Sequence, residues 1–442
     1  MDARPHFGSR LGTLLTLIGV AVGLGNVWRF PYMVGEFGGA AFVILYLIMV
    51  AAIGVPALMT EWALGRHTRR GTVGAFAAAG LPGGRGWGWF FFFVVTAATA
   101  YYTNVVGWVL FFAASEVAEL AGRSFAAAAI LPPDAGVDGG SLTRQVLSSA
   151  LVILACVAVL LRGIRRGTER LSKIIVPLLL VILLLLVARS LTLPGAGEGL
   201  TWYIGKLDWS AIRPRVVLAA LGQAVFSLSL GGTFMVVYGS YLPSELRLGP
   251  NAALTALGDT TAGVLAGLAI FPAVFALGLE PASGPGLLFN TLPGVFEAMP
   301  GGALFGLLFF LGLGAAALLS DIAAFEVLVT GLTDNTGLSR RAAVWIMAGA
   351  VFGLAIPPML NMRVFVPWDL TFGSGMQTLG ALVTVVAVGW AIDRGAALRE
   401  LFGDSARGRF LYVWIRFAIP AAIVTVGVWW LLTDLLGAIQ AA

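Results

Sequence analysis

Gly19-Val-Ala-Val-Gly-Leu-Gly-Asn-Val-Trp-Arg-Phe-Pro31 sits inside the first long apolar run of the chain, and its composition does not suit one unbroken helix. Gly19, Gly23 and Gly25 loosen the backbone, Asn26 and Arg29 place polar groups among hydrocarbon, and Pro31 removes a backbone donor. A second interrupted run reads Gln223-Ala-Val-Phe-Ser-Leu-Ser-Leu-Gly-Gly-Thr233. An unwound turn within a bilayer frees carbonyls and amides, which is tolerated only where they line a cavity or bind something. Paired Gly-interrupted segments at corresponding places in two halves point to the binding site of a transporter.

The rest of the composition agrees with life in lipid. The 442 residues are 59% hydrophobic and only 11% charged, with a mean hydropathy of +0.93. An ordinary soluble domain is about a quarter charged, so a water-soluble enzyme or nucleic-acid binder is excluded. Cys156 is the one cysteine, so no intramolecular disulfide forms. His6 and His67 are the only histidines, and no HExxH or CxxC occurs, which leaves no histidine metal site. Gly23-x-Gly25 lacks the third glycine and the strand of a dinucleotide fingerprint. No nucleophile–base pair is evident, so the chain is not expected to be an enzyme. The first run follows arginines as a signal peptide would, but its polar content and the further spans read as a retained helix.

A bilayer core needs about 20 mostly apolar residues per helix. That ruler predicts eleven spans near 10–36, 40–64, 87–115, 146–162, 170–190, 214–241, 252–279, 302–332, 341–360, 370–392 and 410–436. The interrupted spans are the first and the sixth. The chain 1–442 then forms a single all-α domain of two five-helix halves, 10–190 and 214–392, with 410–436 as an additional helix. With a cytoplasmic N-terminus, 18 basic residues face inside and 7 outside, with Arg29 and Arg416 inside spans, which accounts for all 27. The net charge of +5 is therefore a topology signal. Eleven spans put the C-terminus outside, in a multi-pass protein of the cell membrane.

Within the spans, Asn26, Ser227, Ser229, Ser320 and Asp259 offer oxygens that, with freed carbonyls, make a hard-oxygen cage suited to sodium. A half-helix N-terminus offers amides to a carboxylate. A cation and a carboxylate side by side reduce a desolvation cost neither sustains alone. Ion-coupled uptake of a zwitterionic solute is the expectation. Plainer readings stand beside it: Gly19-x-x-x-Gly23 also suits a helix-packing seam, and membrane serines commonly bond their own preceding carbonyls. Arg29, Glu61, Asp259, Asp321 and Glu326 are ionisable groups inside spans, which are costly and functional by default, though some could pair with one another.

Gly23-Leu24-Gly25-Asn26-Val27-Trp28-Arg29-Phe30-Pro31-Tyr32, followed by Gly38-Gly39-Ala40, closely resembles the neurotransmitter:sodium symporter family. So do Glu61-Trp62 with Gly65-Arg66, Gln223 with Phe226-Ser-Leu-Ser-Leu-Gly231, and Gly267-Leu-Ala-Ile-Phe271. The likeness runs through nearly the whole chain and implies the inverted five-helix-repeat fold of the bacterial leucine transporter, with helices 1 and 6 unwound at the midplane. It implies a first sodium site from the Ala21 carbonyl, Asn26, Ser227, Asp259 and the substrate carboxylate. A second would use the carbonyls of Gly19, Val22 and Ala316 with the Ser320 hydroxyl. The implied substrate pocket comprises Ala21, Leu24, Gly25, Ala98, Tyr102, Phe226, Ser227, Ser229, Gly232, Ser320 and Ala324, with Tyr102 on the carboxylate and Phe226 as lid. Arg29 with Asp369 resembles the outer gate, and Arg4 with Asp334, near Tyr241, the inner one. Phe7 stands where the family usually has Trp. Gly167 and Pro177 match a fifth-helix motif associated with unwinding as the inside opens.

Three departures refine the expectation. Gly23 stands where amine-transporting members carry Asp, which favours an amino acid over a monoamine. Asp259 replaces an Asn of many relatives, and a fixed charge there would do what bound chloride does elsewhere, so transport is expected to be chloride-independent. Leu319 stands where a Thr or Asp supplies a second-sodium ligand. Asp321, two residues on and rotated by about 200°, cannot substitute, so that site is weakened or given over to a proton or water. Asp321 itself reads either as a structural partner or as a contact for a cationic substrate group. Small residues at Ala98, Gly232 and Ala324 predict a bulky aromatic or large aliphatic amino acid. The expected function is sodium-coupled symport by alternating access, with no organic cofactor and no nucleic-acid partner. A proton-dependent or cationic-substrate carrier and a non-transporting solute sensor remain as alternatives.

Overall fold

Ser9 accepts a hydrogen bond from the Gly12 amide at 3.1 Å and so starts the first helix, α1 (Arg10–Ala21), which ends at an extended Val22. The computed structural model describes residues 7–281, 287–402 and 406–432, and among these there is no strand. After a short gap the chain resumes as α2 (Gly25–Phe37), bent by 53° from α1. The turn opens where Gly23, Gly25 and Asn26 leave the helix least supported.

Membrane-length helices follow: α3 (Ala40–Thr68), α5 (Gly84–Leu120), α6 (Gly139–Leu160), α7 (Ile164–Leu191), α10 (Leu248–Ala276), α12 (Gly302–Asn335), α13 (Arg340–Met359), α14 (Met362–Ala391) and α16 (Gly408–Trp429). Shorter elements are α4 (Thr72–Ala78), α11 (Thr291–Ala298) and α15 (Arg394–Leu401). The sixth expected span is split into α8 (Pro214–Ser227) and α9 (Phe234–Gly239). Among the described residues, nine helices are long and apolar enough to cross a membrane, and the bent α1–α2 pair makes up to ten against the eleven expected; the sixth expected span falls short because its apolar helix α8 has only 14 residues before the break. The last expected span, 410–436, lies partly outside the described residues.

The break between α8 and α9 is held from several sides. Ser229, Gly231 and Thr233 all have positive φ (53°, 86° and 56°), a costly run for two residues with side chains. The Gly231 amide donates to Glu61 Oε1 at 2.6 Å, the Ser229 hydroxyl to the Val20 carbonyl at 3.2 Å, and the Thr233 and Thr72 hydroxyls meet at 2.9 Å. On the other side, α14 presses backbone to backbone, and a Cβ at Gly380 would collide with the Gly231 carbonyl. Each interrupted helix thus leans on the other, since Val20 belongs to α1.

Burial separates lipid-facing from cavity-facing surfaces. Only 33% of the most apolar stretch of α7 is buried in the protein, and Leu178, Val181, Leu184 and Leu185 are about half exposed. Their i, i+3, i+7 spacing makes an outward apolar stripe. By contrast, 83% of the corresponding stretch of α5 is buried. That helix packs along α12 and carries Tyr102 into the centre.

Candidate functional site

The centre begins with Asn26. Its Nδ2 donates to Asp259 Oδ1 at 2.7 Å, to the Asp259 carbonyl at 2.9 Å and to Ser227 Oγ at 3.0 Å, while its Oδ1 accepts from the Gly23 amide at 3.0 Å. Ser227 Oγ lies 2.7 Å from Asp259 Oδ2, and Tyr46 donates to Ser227 at 3.2 Å. Asn26, Ser227 and Asp259 are at most 1% exposed. They come from α2, α8 and α10, so both interrupted helices meet on one carboxylate. No basic side chain pairs with Asp259 among the described residues. A buried carboxylate with no cation against it, ringed by hard oxygens, has the donor chemistry of a small alkali cation.

The residues expected around a second cation are also close together, with one obstacle. Ser320 Oγ donates to the Val22 carbonyl at 3.1 Å, bridging α12 to the α1 break. A Cβ built on Gly19 would stand 3.1 Å from Leu319 Cδ1, so hydrocarbon lies against the turn where another oxygen would be required. Ala316 is buried, one helical turn earlier on α12.

Beside the first cluster is a small cavity of about 70 Å³. Ala21, Leu24, Gly25, Ala98, Tyr102, Phe226, Ser227, Ser229, Ser320 and Ala324 all line it. Tyr102 accepts from the Leu24 amide at 3.4 Å, and a Cβ on Gly23 would strike Ser320 Oγ and the Tyr102 hydroxyl. Glycine at 23 therefore keeps amides and hydroxyls together at one end of the cavity.

Gly232 departs from the expectation. It does not line the cavity; the Phe234 ring covers it, so closely that a Cβ there would fall on the ring. The space the small residue releases is taken back two residues later, and the width that remains comes from Ala98 and Ala324. Asp321 departs too. Its carboxylate, fully buried, meets Thr103 Oγ1 at 3.1 and 3.2 Å and Cys156 Sγ at 3.7 Å, facing α5 and α6 instead of the cavity. Gly23, noted for its missing carboxylate, lines the cavity, and Val20, Thr99, Tyr101, Phe234 and Gln377 line it without having been singled out. Tyr101 could have been found as the neighbour of Tyr102; Phe234 and Gln377 carry no local signal.

Outside Phe226 a wider vestibule of about 680 Å³ opens, lined by Arg29, Asp369 and aromatic rings. The Arg29 guanidinium lies 4.1 Å from the Phe226 ring centre and reaches Ser374 Oγ at 3.4 Å. Asp369 bonds the Tyr101 hydroxyl. Arg29 and Asp369 face the same space but do not form an ion pair.

The opposite end is closed. Phe7 stacks on Tyr238 and meets Tyr241 edge-on, with centroids 6.4 and 6.3 Å apart. Tyr241 donates to Glu326 at 2.9 Å. Arg340 grips the same carboxylate with two bonds of 2.9 and 2.6 Å and also reaches the Leu160 carbonyl. Asp334 accepts from the Gly71 amide at 2.8 Å. Arg4 lies outside the described residues. The Glu326–Arg340 pair was not anticipated, although Glu326 stood out as an ionisable group within a span. Gly167 falls in the π-helical turn Ile164–Glu169 that begins α7, and Pro177 lies inside that helix.

Comparison with known proteins agrees with this architecture. A model of the sodium:neurotransmitter symporter family matches residues 4–126 and 123–431. An uncharacterised sodium-dependent transporter of Bacillus subtilis, YhdH, is 33% identical over 95% of this chain and 96% of its own length. An uncharacterised sodium-dependent transporter of Methanocaldococcus jannaschii is 33% identical over 90% of this chain and 84% of its own. The crystal structure of MhsT in complex with L-phenylalanine superposes with a TM-score of 0.84 at 35% identity, covering 96% of this chain and 99% of that one. The fold is the inverted five-helix repeat of the bacterial leucine transporter, and the chain belongs to the sodium:neurotransmitter symporter family.

Proposed function

We propose that this sodium-dependent transporter carries a bulky neutral amino acid inward together with sodium, independently of chloride. The Asp259–Asn26–Ser227 cluster beside the small cavity carries the reading. Sodium taken there would neutralise Asp259 and face a substrate carboxylate bound by Tyr102 and the amides of the α1–α2 turn. With Asp259 supplying fixed negative charge, no anion need be recruited. The second cation position lacks a side-chain oxygen at Leu319, so one sodium per cycle is the proposed stoichiometry.

Several observations favour a neutral zwitterion over a cationic solute. No Asp or Glu lines the small cavity, and Asp321 is turned away from it. MhsT, the similar protein of known structure, holds L-phenylalanine, in keeping with a large side chain. The open vestibule and closed opposite end make this an outward-facing arrangement. In the cycle, Arg29 and Asp369 would approach over Phe226, and the contacts around Phe7, Tyr241, Asp334 and Arg340 would then part. Residues 10–190 and 214–392 are the proposed repeats, with 410–436 added to them.

Uptake into proteoliposomes under an imposed sodium gradient tests this reading. Accumulation of a labelled large neutral amino acid, unchanged when gluconate replaces chloride, is expected. Accumulation driven by ΔpH alone would make the protein a proton-coupled carrier, and binding without accumulation would make it a sensor. Leu319→Thr restores the missing oxygen and is expected to steepen the dependence of uptake on sodium. An unchanged slope would show that Leu319 does not set the stoichiometry.

A further inference from the structure

Most polar side chains around the small cavity are already committed to the protein. Thr99 gives its hydroxyl proton to the Val95 carbonyl at 2.7 Å, Ser229 to Val20 at 3.2 Å, and Ser320 to Val22 at 3.1 Å. Ser227 belongs to the Asp259 cluster. Gln377 is different. Carried by α14, it lines the same cavity as Ala98, Phe226 and Phe234, and among the described residues its amide has no hydrogen-bond partner. Its position is fixed from behind, because its backbone carbonyl abuts Gly231 so closely that no Cβ would fit there. Gln377 also borders a second small recess with Arg29, Ser374 and Thr378.

A carboxamide brings two donor hydrogens and an acceptor oxygen. Covering it with a purely apolar side chain would strand those groups, and a site that hydrogen-bonds its ligand rejects analogues lacking the matching group. Ala98 and Ala324 leave width for a ring, Phe234 offers a ring face, and the lining holds no carboxylate for a cationic head. We infer that Gln377 reads a polar edge on the substrate's side chain, so the pocket selects an aromatic amino acid with a hydrogen-bonding ring, an indole or a phenol, over plain phenyl or aliphatic ones. An indole N–H would donate to Oε1, and a phenol could either donate or accept. The inference rests on the amino-acid reading above and narrows it.

Competition binding on the purified full-length protein in sodium tests it, using tryptophan, tyrosine, phenylalanine and leucine. The wild type is expected to bind tryptophan or tyrosine about tenfold more tightly than phenylalanine, the scale of one neutral hydrogen bond. Gln377→Met keeps the length and removes both polar atoms. It is expected to weaken tryptophan and tyrosine while leaving phenylalanine unchanged or tighter; retained sodium-dependent phenylalanine binding shows that the variant folds. Equal losses for all ligands, or an unchanged ranking, would overturn the role of Gln377. A wild type that binds all four without regard to ring polarity overturns this inference alone. Binding of none of the four would bring down the amino-acid reading itself.

Discussion

Asp259 is a carboxylate whose two oxygens each meet a neutral donor at 2.7 Å, from Asn26 and from Ser227. No basic side chain among the described residues balances its charge, so under the proposed function Asp259 and a cation held there would act as a unit. Asp259→Asn keeps the shape and removes the charge. It is expected to raise the sodium concentration for half-maximal uptake by at least about tenfold, because breaking a buried charge pair costs several kcal/mol. It should also make uptake respond to external chloride. Sodium activation curves recorded in chloride and in gluconate check both effects, and unaltered curves would remove Asp259 from the coupling. Polar residues of this kind were legible in the sequence because an ionisable or amide group in an apolar run needs a reason to be there. Which way each one points was less legible. Asp321 and Asp259 look alike on paper, but α12 is buried on all sides around Asp321, so helical spacing alone could not separate cavity from helix interface. Phe234 and Gln377 were invisible for a related reason: tertiary packing brings an ordinary residue into the wall.

At the scale of the element, glycine placement decides where a helix can stop. Gly231 combines a φ of 86° with a Cβ position blocked by the Gln377 carbonyl, so it meets two independent constraints. Gly231→Ala is expected to cost about 1–3 kcal/mol from the left-handed backbone alone. It should also loosen the α14 contact and abolish uptake. Gly349, in the middle of α13 with open space around its Cβ position, serves as the control: Gly349→Ala should leave uptake intact and stability equal or higher. Thermal unfolding in detergent alongside uptake compares the two, and equal behaviour would mean that the break is not held by its backbone. The interruptions themselves were readable, because Gly, Asn and Ser at mid-span contradict an apolar helix. The short elements α4, α11 and α15 were not, being too brief to show a period. Helix ends also ran longer than the apolar ruler, as at α5 and α14, because helices continue past the hydrocarbon into polar turns.

For the molecule as a whole, the two ends of the site are unequal. An open vestibule lies on the Arg29 side, and a closed network of Tyr241, Glu326 and Arg340 lies on the other. Transport direction follows only if the vestibule faces outside, which is what the distribution of basic residues predicts. The 18-to-7 division of Arg and Lys predicts the loop holding Ser210 outside and the loop holding Ser244 inside. Both serines are exposed, so each can carry a thiol without disturbing the core. The native thiol makes a clean background, since Cys156 is fully buried with its sulfur 3.7 Å from Asp321. In intact cells a membrane-impermeant maleimide is expected to label Ser210→Cys but not Ser244→Cys, and to label both once the membrane is permeabilised. The wild type should stay unlabelled in either condition. The reverse pattern would turn the vestibule toward the cytoplasm. The closed network around Glu326 would then be the outer barrier, and a sodium gradient could not load the Asp259 cluster from the side that is open.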